Sequence, residues 1–195
     1  MSAVVASAAS ANFTAASYPV TGTATSTADE FKAFGTAVKC TENSFSGTLT
    51  ESSSQLTITP TYKNCKFGTL PATVNFEGCD YLFTDVAGEA DPVHVICPAG
   101  KSIVINVYAS AAGHTAGTPI CILKVGAQGP LSSVKYQNVE NGDVKVTGTV
   151  GSIKATQERK SAVCPTGTET SSAEYVIQSA GIIVAGSGGV NVDVG

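Results

Sequence analysis

Apolar and polar residues alternate with a period of two along much of the chain. That period is the mark of strands with one buried face. It is clearest in "CDYLF" and "VHVIC", which set Cys79, Tyr81 and Phe83 on one face and Val93, Val95 and Cys97 on the other strand's matching face. Runs of this kind predict strands near 36–40, 44–50, 55–63, 70–76, 79–86, 92–97, 102–109, 119–126, 132–139, 143–150, 152–157, 160–164 and 173–185. Gly and Pro punctuate the gaps, as in "CKFGTLP", "AGHTAGTP" and "GAQGP". The expected fold is all-β: an antiparallel β-sandwich or open barrel of roughly 10–13 short strands, with at most one short helix.

The one helix candidate is "TADEFKAFG", where Thr27 and Glu30 have capping-box spacing and Gly35 could end a short helix. The same residues also read as strand. The tail "GIIVAGSGGVNVDVG" reads as an apolar strand, a break and a short alternating strand. Residues 1–11 are expected to be a flexible tail or a signal remnant. Ala9-Ser10-Ala11 has the form of an export cleavage site, but no basic n-region precedes it. Residues 12–195 are read as a single β-rich domain, long enough to bury roughly 70% of the surface of the unfolded chain.

Six cysteines stand at 40, 65, 79, 97, 121 and 164, with no C-x-x-C pair. An even number without zinc-ribbon spacing suggests three disulfides and an oxidising compartment. Fifteen pairings are possible, and the sequence alone does not choose among them. Hairpin geometry weights them. A Cys79–Cys97 bridge centres on Gly88 and sets Tyr81 against Val95 and Phe83 against Val93. A Cys40–Cys65 bridge centres between Ser52 and Ser53 and sets Leu49 against Leu56. In that register the cysteines fall on the opposite parity from Phe45 and Ile58, so a bulge is required for both sets to point inward. Cys121 and Cys164 remain, flanking a nested hairpin about Asn141-Gly142, a strong type I′ turn signal.

Charge changes the functional picture. Net charge is −4 and Arg159 is the only arginine, so no basic stripe exists to neutralise phosphates, and nucleic acid is not an expected partner. No apolar run approaches the roughly 20 residues of a membrane-spanning helix. Ser and Thr together make up 43 of the 195 residues, whereas charged residues are only 13%.

Few candidates for chemistry survive inspection. "CPAGKS" lacks the first Gly of a phosphate loop, since Val95 stands there, and "GSGGVN" places Asn191 at the third Gly of a dinucleotide fingerprint. His94 and His114 are the only histidines, and no G-x-S-x-G elbow accompanies them. Alternation turns His94 away from the cysteine face. Asp85, Glu89 and Asp91 ring the tip of the Cys79–Cys97 hairpin. They read as a solvated turn, with calcium as the alternative occupant. Tyr62, Tyr108 and Tyr136 are the aromatic candidates for a ligand surface. No catalytic residue and no cofactor are expected.

"ATVNFEGCDYLFT", "VHVICPAGKSIVI", "CILKVGAQGPLSSVKYQN" and "SAVCPTGTE" resemble segments of uncharacterised exported, β-rich bacterial proteins. The likeness runs from about Phe13 to Gly186. It implies export to the cell surface or beyond and a disulfide-bonded β-fold, and it carries no activity. The resulting expectation is a non-enzymatic structural or surface protein. Its expected partner is itself, through an Ala/Ser/Thr-rich N-terminal segment that could add as a strand. A monomeric ligand-binding module and a carboxylate-based hydrolase are the alternatives.

Overall fold

Alternation produces strands throughout. The computed structural model describes residues 13–15, 20–24, 29–48, 53–84, 91–110, 117–139, 143–186 and 190–192. Among these are fourteen strands and no helix: β1 (Phe13–Ala15), β2 (Val20–Ala24), β3 (Glu30–Ala33), β4 (Thr36–Thr48), β5 (Gln55–Phe67), β6 (Leu70–Asn75), β7 (Asp80–Thr84), β8 (Asp91–Ile96), β9 (Ser102–Val107), β10 (Cys121–Gly126), β11 (Gln128–Val139), β12 (Asp143–Arg159), β13 (Glu169–Gly186) and β14 (Val190–Val192). The expected tail 1–11 lies outside the described residues. Of the possible helix over "TADEFKAFG", Thr27 and Ala28 lie outside the described residues; Glu30–Ala33 are β3, followed by a turn in which Phe34 (φ 52°) and Gly35 (φ 74°) both take the left-handed conformation of a tight hairpin. Glu30 caps nothing. Its carboxylate pairs with Lys32 at 2.6 Å and with its cross-strand neighbour Lys39 at 2.9 Å. The strand expected at 160–164 is a turn, and Val163 there is exposed.

Every pairing is antiparallel, and the ladder closes on itself. Four long strands, β12, β13, β4 and β5, form a shared wall, with β2 and β3 in line between β13 and β4. From β5 the lower half continues through β6, β9 and β10 back to β12. The upper half continues through β7, β8 and β11 back to the same β12. Each circuit counts eight strands, so the chain is two closed rings stacked on one wall. Closure leaves the ringed strands no free edge.

The two half-walls meet at a waist crossed by three short links: residues 76–79, 97–101 and Ala127. The Cys79–Cys97 disulfide ties the first two links, and Lys101 faces Glu77 across them at 3.9 Å. At the third, the Gln128 amide holds the backbone of Lys154, accepting from its N–H at 2.8 Å and donating to its carbonyl at 3.0 Å.

The parity conflict around Cys40 and Cys65 is resolved at this waist. β4 and β5 keep the expected register throughout, from Val38 opposite Phe67 to Thr48 opposite Thr57. Both strands turn over together. Thr41 and Glu42 are both exposed, as are Lys63 and Asn64 opposite them, so Cys40 and Cys65 point inward below while Phe45 and Ile58 point inward above. Asn64 takes φ 53°, and its Nδ2 donates to Glu42 Oε1 at 2.6 Å. β12 uses the same device: inward Val150 is followed by Gly151 and Ser152 (φ 58°), then inward Ile153, with a register shift against β13. Left-handed backbone costs a residue with a Cβ about 1–2 kcal/mol, while Gly's extra chain entropy costs about 0.5–1 kcal/mol. Ser152 is exposed, so Ser152→Gly is expected to raise stability by up to about 1 kcal/mol, read as a higher urea midpoint at unchanged slope. Asn64→Gly should gain less, because it also loses the Glu42 bond.

Both ends are capped. Below, the β12–β13 loop folds under the lower ring through Cys121–Cys164, and Gln157 Nε2 donates to the Pro165 and Gly167 carbonyls at 3.0 and 2.9 Å. Above, β1 pairs with β14, and Phe13 exchanges backbone bonds with Ser53. The Phe13 ring is fully buried, edge-on to Tyr136 with centroids 5.3 Å apart.

Candidate functional site

The inward faces of both rings converge on a chamber of about 80 Å³ at the waist. Its walls are aliphatic, including Val93, Val95, Ile103, Ile105 and Val150. Polar groups enter from three long strands, one short one and the residue before β3: Asn43 on β4, Tyr62 on β5, Tyr175 on β13, Tyr81 on β7 and Asp29. The face reversal of β4 and β5 brings the first two here. Asn43 stands opposite Tyr62 in the ladder, and both lie just above the reversal.

The phenols form a chain. Tyr62 Oη lies 3.0 Å from Tyr175 Oη, and Tyr81 lies against the same pair, its ring centroid 6.3 Å from that of Tyr175. Phe76, in the waist link, stacks on Tyr62 at 5.7 Å and meets Tyr81 edge-on at 5.6 Å. Burial is the largest cause pushing all three hydroxyls up, Tyr81 to about 12. The Asp29 carboxylate adds to the effect at Tyr175. Asn43 Oδ1 is buried and has no hydrogen-bond partner.

These shifts fix an alkaline limit. A phenol whose folded value exceeds its unfolded value of about 10 holds its proton longer when folded. The stability it contributes is complete below pH 10 and is lost as pH rises from there through the folded value. Unfolding is therefore expected to steepen above pH 10, with the tyrosinate absorbance of these three phenols appearing together with loss of the β-sheet circular dichroism. Tyr81→Phe should remove one proton from that dependence. Ionisation of all six tyrosines well before unfolding would contradict the burial of the cluster.

The other sequence candidates separate. Tyr136 faces the core against Phe13 and Phe83, and Tyr108 is half-buried. His94 lies opposite Leu82 on the outer face, as alternation requires, and packs so closely on Gly129 that a Cβ there would run into its imidazole. The calcium alternative falls on Asp85 and Glu89, which lie outside the described residues, and on Asp91, described only as the backbone start of β8. His114 is also outside them. Among the described residues, no group of three His, Cys, Asp or Glu side chains is arranged to hold a metal. Also among them, no helix is long and apolar enough to cross a membrane. All six cysteines are bonded, as Cys40–Cys65, Cys79–Cys97 and Cys121–Cys164. Asn43 and Tyr175 were not singled out from sequence. Tyr175 carries one signal, its place in the alternating Ala173-Tyr175-Ile177.

No family model, curated protein or solved structure matches the chain.

Proposed function

We propose that this is an exported, non-enzymatic structural or surface protein that assembles by passing its N-terminal segment into a neighbouring copy. The observation that carries the reading is the placement of that segment. β2 fills a slot between β13 and β4, and Phe13 plugs the upper ring ahead of it. The first charged residue of the chain is Asp29, so nothing upstream opposes the insertion of this strand between others. The same backbone bonds and the same plug are available from a second copy, as in strand addition generally. Three disulfides are consistent with an oxidising extracellular setting.

Thr21 pairs with Ser46 across the slot, and both are exposed. A Thr21→Cys, Ser46→Cys variant tests the reading, because cross-strand neighbours suit a disulfide. Oxidised at high concentration and run without reductant, exchanged strands give a ladder of covalent multimers. Closed monomers alone, together with monomeric light scattering of the unmodified chain, would overturn assembly. Deleting residues 1–26 should abolish any multimers. Ester, peptide and glycan substrates tested on the same preparation address the hydrolase alternative, for which no turnover is expected.

A further inference from the structure

We infer that the waist chamber is a binding site for a small, non-anionic, donor-headed amphiphile of the size of phenol or a short alcohol. Size sets the first limit. One water needs about 10–15 Å³ of such space, so 80 Å³ accommodates about six heavy atoms. Chemistry sets the second. The walls are aliphatic and aromatic, and Asn43 Oδ1, buried at the chamber wall, is an acceptor with no hydrogen-bond partner. An orphaned buried acceptor costs stability that a donated hydrogen bond from a guest would restore. The phenols of Tyr62 and Tyr175 already bond each other at 3.0 Å.

Charge sets the third limit. Asp29 is the one ionisable acid or base among the lining residues besides the tyrosines, and no lining residue is cationic. An anionic guest would enter an apolar space beside a carboxylate with nothing to neutralise it. The guest is therefore not an anion, and it presents a hydroxyl or N–H toward Asn43 and a short apolar body against Val95, Ile105 and Val150. This site is independent of strand exchange: it lies in the shared interior, and its polar residues belong to β4, β5, β7 and β13, with Asp29 just before β3, so none comes from β1 or β2.

The test uses the full oxidised chain with three probes of similar size: phenol, benzene and butyrate. Binding is read by ligand-observed nuclear magnetic resonance and calorimetry. Phenol is expected to bind about tenfold more tightly than benzene, the worth of one hydrogen bond to a buried acceptor. Butyrate, an anion of six heavy atoms, should not bind. Asn43→Leu should bring phenol and benzene to equal affinity, with circular dichroism confirming the fold. If that variant does not fold, the phenol-to-benzene ratio in the unmodified chain decides alone. Equal affinity for the two, or no binding of either, would overturn the proposal and leave the chamber to water.

Discussion

Reduction of all three disulfides is expected to unfold the chain. The bridged pairs are separated by 25, 18 and 43 residues. The loops follow one another along the sequence without overlap, so each removes its own share of freedom from the unfolded chain. In the chain-entropy treatment they contribute about 3–4 kcal/mol apiece, about 10 kcal/mol together. Domains of this kind have a total stability of about 5–15 kcal/mol. The reduced chain is therefore expected to lose its cooperative melting transition at 37 °C. Near-ultraviolet circular dichroism during titration with reductant checks this. A reduced and alkylated chain that keeps its melting transition would show that the closed ladder is sufficient alone.

Phe13→Ala is expected to cost about 3–5 kcal/mol, the range for removing a large aromatic from a closed core. The size of the effect is unusual for a residue on a three-residue strand near a chain terminus. It follows from the ring being 1% exposed and packed edge-on against Tyr136, which in turn meets Phe83. Alanine at this position leaves the upper ring without its plug. Chemical denaturation gives the magnitude, and hydrogen exchange gives the place: protection should fall first at β1, β14 and the upper part of β11. A loss below about 1 kcal/mol, the level of an ordinary surface change, would mean that Phe13 is not the cap.

What could be read from the sequence was whatever a hairpin decides locally. Cys79–Cys97 and its register follow from alternation plus one centre, and β7 and β8 pair as that rule requires, with Tyr81 opposite Val95. The Cys40–Cys65 register was equally legible, together with its contradiction. The cure was not, because the face reversal depends on Asn64 and Ser152 adopting left-handed backbone, and two-period patterns do not report φ. Several expected short strands proved to be halves of long ones for the same reason: 36–40 and 44–50 are both β4, and 143–150 and 152–157 are both β12. β1 and β2 were missed because Ala, Thr and Gly give almost no contrast between faces. The waist chamber was invisible because it is assembled from strands that meet only after both rings close.

The reversal at the waist gives each long strand two reading frames. Above Thr41 and Glu42 the interior of β4 is written on odd positions such as Phe45, and below them on even positions such as Val38 and Cys40. Removing either Thr41 or Glu42 would restore plain alternation from Val38 to Phe45 but shift one half of β4 by a residue against β5, whereas removing both would leave the two interior sets on opposite faces. Substitutions at the waist can be graded, but changes in length cannot. This is the part of the chain where the count of residues, more than their identity, specifies the fold.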